Sequence, residues 1–180
     1  NPNVLREKAV QTMPEIIQVL FTSHNPELTN KDLERKIYET RRRIENKIKA
    51  LNINDFYICS LSTETIVYKG MFLAEQLSEF YTDLLDPDFK SKFAIYHQRY
   101  STNTFPTWSL AQPFRVLAHN GEINTLKGNI NWMSAHEPRI THPFFNERIN
   151  DLKPILDSDA SDSASLDGAF ELLVQTDRDM

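Results

Sequence analysis

The 180-residue sequence predicts a domain of the α+β class. Apolar residues recur at helical spacing near both ends of the chain, whereas its middle carries short runs rich in β-branched and aromatic residues. A composition of 40% hydrophobic and 25% charged residues is typical of a globular protein with a sizeable core. The net charge of −5 disfavours nucleic acid or an anionic membrane surface as a partner, and no apolar run is long enough to span a bilayer.

The N-terminal part of the chain predicts two helices. Residues 4–21 show roughly helical apolar spacing, with Pro14 as a break or a start. A regular apolar stripe then predicts a helix from about Asn30 to Ala50, with Thr29 or Asn30 as its N-cap. The basic run within this helix is interleaved with glutamates, which favours a solvated helix surface over a nucleic-acid site.

Four short runs in the middle of the chain predict β-strands. Residues 56–61 and 65–68 are separated by a short polar turn and predict a hairpin. Residues 93–100 and 114–119 predict two further strands. Three more helices are predicted at 71–80, at 123–133 and at 166–174, the last with Ser165 as its N-cap.

The most informative stretch is 93–133, because polar, turn-forming residues end both of its predicted strands. Such strand ends place side chains and backbone N–H groups on a rim where a ligand can bind. The first strand ends in His97, Gln98, Arg99, Ser101, Thr102, Asn103 and Thr104, and the second ends in His119, Asn120, Gly121 and Glu122.

Three of these residues carry distinctive chemistry. Arg99 offers a planar fork that can hold a carboxylate through two parallel hydrogen bonds, although a structural ion pair or a partly exposed arginine at a strand end is the alternative. Asn120 and Gly121 place a side-chain amide beside a glycine N–H, which can form a two-donor hole for a developing oxyanion. The competing interpretation is a tight turn, for which Asn-Gly is the commonest dipeptide.

The segment LDSDASDSAS adds a group of carboxylates, Asp157, Asp159 and Asp162. A carboxylate on a loop that enters a helix can pair with an ammonium group, or it can cap the helix. The spacing of a Ca²⁺ loop, with its glycine and its final glutamate, is absent.

No metal site is predicted. The five histidines, His24, His97, His119, His136 and His142, form no HExxH pair, and no second cysteine completes a zinc site. We interpret His97 and His119 as core or supporting residues at strand ends. Cys59 lies in the middle of a predicted strand, which favours a buried, inert thiol over a nucleophile.

Three motifs occur in a fixed order along the chain: HQRYSTNTFPTW, HNGEINTLKGNINWM and SDSASLD, preceded by the hairpin-like FYICSLSTETIVYKGM. Together they resemble the glutaminase domains of glutamate synthases, which are class II glutamine amidotransferases. The resemblance runs from about residue 55 to 173 and is most specific within 98–133. It implies the αββα sandwich of the N-terminal-nucleophile hydrolases. This chain would be part of one such domain, with 1–54 mainly helical and 55–180 forming the glutamine-binding core.

The resemblance also implies roles for individual residues. Arg99 resembles the clamp for the α-carboxylate of glutamine, and Asp162 resembles the partner of its α-ammonium group. Asn120 and Gly121 resemble the oxyanion hole. The family nucleophile is an amino-terminal cysteine whose own α-amino group acts as the base. Because this chain opens on Asn1, the sequence predicts an excised piece of a larger enzyme that is inactive alone.

For the intact enzyme, the resemblance implies L-glutamine as substrate and ammonia channelled to other domains that convert 2-oxoglutarate to glutamate. FMN and an iron–sulfur cluster are expected in those domains, no cofactor or metal in this piece, and a small electron-transfer subunit or ferredoxin as a partner. The electron donor, a reduced pyridine nucleotide (NADPH or NADH) or ferredoxin, stays open. A lone cysteine fits a reducing compartment, the cytoplasm or a plastid. The alternatives are a class II amidotransferase making amidophosphoribose, glucosamine phosphate or asparagine, or a nucleophile-free module that binds glutamine or scaffolds a partner.

Overall fold

The computed structural model describes residues 1–102, 104–157 and 160–177. In this part of the chain the α-helices are α1 (Glu7–Gln11), α2 (Asn30–Ala50), α3 (Leu77–Phe80), α4 (Leu126–His136) and α5 (Asp162–Gln175). Short 3₁₀-helices lie at Pro2–Val4, Ala74–Gln76, Thr82–Leu85, Glu137–Arg139 and Asn146–Leu152. The described ranges contain no β-strand and no helix that is long and apolar enough to cross a membrane.

Helix α2 confirms its prediction over its whole length. The hydroxyl of Thr29 accepts a hydrogen bond from the backbone N–H of Asp32 at 3.1 Å, which satisfies one of the donors exposed at a helix start. Its apolar face buries Ile37 and Tyr38 at 5% and 3% exposure. Local capping and amphipathic burial therefore define this helix together.

The basic run on α2 departs from the predicted solvated surface. The side chain of Arg41 is buried, with the residue only 1% exposed. Its guanidinium donates to Glu45 at 2.8 Å and to Glu171 of α5. Glu45 Oε1 also accepts a hydrogen bond from the Arg115 guanidinium at 3.0 Å. A charge network thus joins α2, α5 and the segment around residue 115, and the prediction of a solvated face is wrong at Arg41.

Two apolar clusters form the core. The larger one packs α2 and α5 against the segment between them, and it comprises Tyr38, Phe145, Ile149, Leu152, Ile155 and Leu172. The second cluster comprises Ala9, Phe80 and Trp108. The indole N–H of Trp108 donates to the carbonyl of Ala9 at 3.3 Å, which fastens α1 to the middle of the chain.

Two other predicted helices have different bounds. The predicted helix 4–21 is wrong beyond α1, which ends at Gln11, because Pro14 cannot supply the N–H that a continuing helix needs. The final helix begins at Asp162 and not at residue 166. Its N-cap is Ser161, whose hydroxyl accepts from the N–H of Ala164 at 3.1 Å, so the prediction of Ser165 as the cap is wrong.

The predicted strands 56–61, 65–68, 93–100 and 114–119 are absent. Several of their backbone donors bind side chains where a sheet would offer them a carbonyl. The N–H of Val67 donates to Ser60 Oγ at 3.2 Å, and that of Val116 donates to Asp167 Oδ1 at 2.8 Å. Side-chain acceptors of this kind compete with the ladder of a β-sheet. The αββα sandwich implied by the resemblance is therefore not formed by the described residues.

A buried cation, Lys69, ties the 57–70 region to the segment after Trp108. The residue is 5% exposed, and its Nζ donates to the carbonyl of Ser109 at 2.7 Å. The ammonium also lies 5.4 Å and 5.1 Å from the ring centroids of Tyr57 and Phe114. Burial lowers the pKa of Lys69 to about 8, because the charged form loses hydration that these contacts replace only in part.

We expect Arg41→Ala to lower the free energy of unfolding by about 3–5 kcal/mol, because it removes the arginine that pairs with the half-buried Glu171 and one of the three arginines that pair with Glu45. Arg43→Ala on the same helix is the matched control. The Arg43 side chain is 62% exposed and lies 3.5 Å from Asp151, so its loss should cost below about 0.5 kcal/mol. Urea titration of the chain measures both values, and equal costs for the two variants would contradict a structural role for the network.

Lys69 should give the chain a stability that rises with pH. The unfolded lysine has the higher pKa, so between the folded and unfolded values the unfolded chain binds more protons and stability increases with pH. With a folded pKa of about 8, we expect a gain of about 1 kcal/mol from pH 7.5 to 9, relative to Lys69→Met. Urea titrations at several pH values measure it. Parallel pH profiles of the parent and the variant would contradict the lowered pKa.

Candidate functional site

Three separate segments of the chain meet at the hydroxyl of Ser163, near the start of α5. Ser163 is fully buried, at 0% exposure. Its Oγ accepts from the hydroxyl of Ser101 at 2.8 Å and donates to the carbonyl of His119 at 2.8 Å. One side chain therefore joins the polar ends of the two predicted strands to the N-terminus of α5. We call this meeting point of the three segments the junction.

The segment that carries Asn120 is fixed from a second direction. Both ends of the Gln112 side-chain amide bind the backbone of His119, with Nε2 donating to its carbonyl at 2.5 Å and Oε1 accepting from its N–H at 2.6 Å. Gln112 is buried, so these bonds are shielded from water. The paired bonds fix the position of the backbone just before Asn120.

Arg99 projects from this junction into solvent. The residue is exposed, and its guanidinium makes no hydrogen bond or ion pair with any described residue. The alternative of a structural ion pair for Arg99 therefore finds no support among the described residues, whereas the alternative of an exposed arginine at the end of this segment fits its exposure. Its backbone N–H donates to Nδ1 of His97 at 3.1 Å, which places the start of the Arg99 side chain relative to the neighbouring ring.

Asn120 and Gly121 do not form the left-handed turn that an Asn-Gly pair often makes. Neither residue has a positive φ. A Cβ at Gly121 would lie 2.5 Å from Cε1 of His119, so a side chain at this position would make that exposed ring turn away. The Gly121 N–H donates to Nδ1 of that exposed ring at 3.1 Å. Asn120 Oδ1 contacts His97 Nε2 at 3.0 Å, and the Nδ2 end of its amide binds no described residue.

Of the three candidate aspartates, the junction includes Asp162. Its Oδ2 accepts from the N–H of Ile123 at 2.9 Å, and its Oδ1 accepts from the N–H of Ser163 at 2.6 Å. Asp157 binds Lys49 at 2.9 Å, away from this junction. Asp159 lies outside the described residues, as does Asn103 from the first predicted strand end.

A cavity of about 340 Å³ lies elsewhere, between α2 and α5. Its charged lining includes Arg41, Arg42, Glu45 and Glu171, and these groups pair with one another. None of the four predicted site residues lines it. The Arg99 guanidinium and the Asn120 Nδ2, which bind no described residue, make the junction the better candidate for binding a small polar molecule.

Cys59 does not behave as a nucleophile in this structure. Its Sγ donates to the carbonyl of Val67 at 3.3 Å, and burial raises the pKa of the thiol. Both effects keep the sulfur protonated near neutral pH, which agrees with the predicted inert thiol. The described part of the chain also contains no group of three or more His, Cys, Asp and Glu residues placed to hold a metal ion.

The sequence predicted the outward-facing groups of the junction but missed Ser163 and Gln112, which hold it together. Serine and glutamine occur throughout the sequence, and no spacing distinguishes these two. The sequence predicts a loop for the SDSAS segment. The one signal for a helix start there is the alternation of serine with small or acidic residues ahead of an apolar helix.

Comparison with known proteins places the chain in a described family. Residues 1–180 match the family described as class-II glutamine amidotransferases. Over 178 residues the chain is 59% identical to "Glutamate synthase [NADPH] large chain" of Azospirillum brasilense, covering 99% of this chain and 12% of that protein.

Two further relatives show similar coverage. The chain is 48% identical over 170 residues to "Glutamate synthase [NADPH] large chain" of Bacillus subtilis, covering 94% of this chain and 11% of that protein. It is 48% identical over 179 residues to "Ferredoxin-dependent glutamate synthase, chloroplastic" of Spinacia oleracea, covering 99% of this chain and 11% of that protein. The chain thus spans about 11–12% of the length of these relatives.

Proposed function

This chain belongs to the class II glutamine amidotransferases, and from that premise we propose that the junction at Ser163 binds L-glutamine for hydrolysis to glutamate and ammonia. The observation that carries the proposal is a set of polar groups joined by one hydrogen-bonded junction, among which the Arg99 guanidinium and the Asn120 Nδ2 bind no described residue. The guanidinium of Arg99 takes the α-carboxylate through two parallel hydrogen bonds. The carboxylate of Asp162 takes the α-ammonium group.

Asp162 offers a carboxylate in a fixed orientation near the junction. It occupies the first turn of α5, where the helix dipole favours a negative charge. Its two backbone hydrogen bonds fix the orientation of the carboxylate and leave lone pairs for an ammonium donor. Two charged groups of opposite sign then select a free amino acid and reject glutamine within a peptide.

Asn120 and Gly121 supply the donors for the reacting carbonyl. The Nδ2 end of Asn120 is available to an oxyanion, whereas the Gly121 N–H is engaged by His119. For Gly121 to donate to an oxyanion, the His119 ring must turn away. That movement loses little packing because His119 is exposed. Each donor of this kind contributes roughly 3–4 kcal/mol to the stability of an acyl-transfer transition state.

For the intact protein we propose a glutamate synthase, in which ammonia released here passes to other domains and aminates 2-oxoglutarate. Residues 1–180 would be part of one amidotransferase domain, with 1–54 mainly helical and 55–180 binding glutamine. Phe93 and Ile95 are 73% and 60% exposed. Covering these side chains with the rest of the polypeptide would allow the β-pairing of the αββα sandwich. The relatives' names include both NADPH and ferredoxin.

The electron donor is accordingly a reduced pyridine nucleotide or ferredoxin, the partner is a small electron-transfer subunit or ferredoxin, and the compartment is the cytoplasm or a plastid. The residues of this chain do not fit an iron–sulfur cluster, which needs several thiolates, because Cys59 is the single cysteine. FMN and the cluster of a glutamate synthase would therefore belong to other parts of the intact protein. No step of the glutamine reaction proposed for this junction involves them.

The 180-residue chain alone should release no ammonia from glutamine above background, because its one thiol is held protonated. In the family the nucleophile is an amino-terminal cysteine, which we place elsewhere in the intact protein. An ammonia assay of the purified chain, with Cys59→Ser as the control, checks this expectation. Turnover that disappears in Cys59→Ser would identify Cys59 as the nucleophile and refute our assignment.

In the intact enzyme, Asn120→Asp should lower kcat of the glutamine reaction by on the order of 10²-fold or more. The new carboxylate places negative charge where the oxyanion forms, while its size and backbone preferences match those of asparagine. Activity with added ammonia and the thermal unfolding midpoint should stay near the parent values. A near-normal kcat in this folded variant would leave Asn120 as a structural residue and refute the oxyanion role.

A further inference from the structure

We propose that His97 is a positioning residue for the amide of Asn120, an inference that rests on the proposed glutamine reaction. His97 Nδ1 accepts the backbone N–H of Arg99 at 3.1 Å. A neutral imidazole carries one ring proton, so the accepting Nδ1 leaves that proton on Nε2. Nε2 lies 3.0 Å from Asn120 Oδ1 and therefore donates to it.

This hydrogen bond decides which end of the Asn120 amide is available. The two ends of a side-chain amide are similar in shape, and rotation about its last torsion exchanges them. The Nε2–H of His97 can donate only to the oxygen end of the amide. The NH₂ end then points away from the ring, where it can donate to an oxyanion. The opposite orientation would present a carbonyl oxygen to a developing negative charge.

The same ring joins the segment that carries Arg99 to the segment that carries Asn120, at two ends of the proposed substrate site. His97 and Asn120 are 23 positions apart in sequence, and the backbone N–H of Arg99 binds the other side of the imidazole. A rigid ring between the two segments fixes the oxyanion donor relative to the residue that would hold the α-carboxylate. Placement of this kind affects catalysis more than ground-state binding, because small errors in donor position weaken the transition state.

Two other histidines make the same backbone hydrogen bond as His97, so this bond alone does not distinguish His97. His119 Nδ1 accepts from the N–H of Gly121 at 3.1 Å, and His142 Nδ1 accepts from the N–H of Phe144 at 3.2 Å. All three rings therefore make the same bond to the residue two positions ahead. His97 differs because its Nε2 contacts the Asn120 amide, whereas Nε2 of His142 lies 3.4 Å from the Asp177 carboxylate.

Two substitutions in the intact enzyme separate the two bonds of His97. In His97→Asn the shorter amide can still accept from the N–H two residues ahead, as in an Asx turn, but it no longer reaches Asn120. In His97→Gln the longer amide can still donate to Asn120 Oδ1. We expect His97→Asn to lower kcat with glutamine by 10- to 100-fold, with KM changed less than threefold. Where the loss is 100-fold, His97→Gln should have a kcat at least tenfold higher than that of His97→Asn.

Controls distinguish positioning from general damage. His142→Asn makes the same substitution in the same local motif outside the site, and it should leave kcat with glutamine unchanged. The ammonia-dependent activity should stay at the parent level in both His97 variants. Normal kcat in His97→Asn, or equal losses in both His97 variants accompanied by loss of ammonia-dependent activity, would overturn the proposal.

A double-mutant cycle with Asn120→Ala separates this inference from the proposed function. If His97 acts through Asn120, adding His97→Asn to Asn120→Ala should lower kcat by less than threefold more. A full additional loss would overturn the positioning role while the function of Asn120 stands. If Asn120→Ala alone leaves kcat with glutamine unchanged, both the oxyanion role and the positioning role are refuted.

Discussion

The candidate site depends on one buried hydroxyl, that of Ser163. Its oxygen both donates and accepts, and each bond reaches a different segment of the chain. Because Ser163 and Ser101 are both shielded from solvent, neither hydroxyl can exchange its protein partner for water without exposing the junction. The first turn of α5 is thereby joined to the segments that carry Arg99 and Asn120. Groups that are far apart in sequence thereby acquire fixed relative positions, with the carboxylate of Asp162 also lying 3.3 Å from the Ser163 hydroxyl.

The absence of strands in the described residues and the rigidity of the junction have a related cause. Backbone donors near residues 116 and 119 bind the side chains of Asp167 and Gln112. Such bonds satisfy the backbone without a neighbouring strand, but they do not propagate along the chain as a ladder does. Each one fixes a single peptide group. The result is an irregular polar rim that is nevertheless held at several points, which suits a site that must place individual donors.

The fold could be predicted from sequence where the determining interactions are local. Helix α2 has its cap, its apolar stripe and its last-turn lysines within one segment, so its bounds follow from the sequence alone. The environment of Arg41 could not be predicted, because arginines interleaved with glutamates look the same on a solvated face and in a buried network. The second half of that network, Glu171, lies 130 positions away in sequence. The cap of α5 was misplaced for a local reason, since Ser161 and Ser165 both have a capping hydroxyl.

The candidate site divides in the same way. Arg99, Asn120 and Asp162 have functional groups whose chemistry is evident from residue type and motif. Ser163 stabilises the site through tertiary hydrogen bonds that no sequence spacing indicates. Gly121 departs most from its sequence pattern: the sequence offers a turn as the reason for a glycine, yet its φ is not positive, and the contact that a Cβ would make is with the His119 ring. A side chain at this position would displace the ring that now holds the glycine N–H, so the same missing Cβ governs both the packing of His119 and the access to that donor.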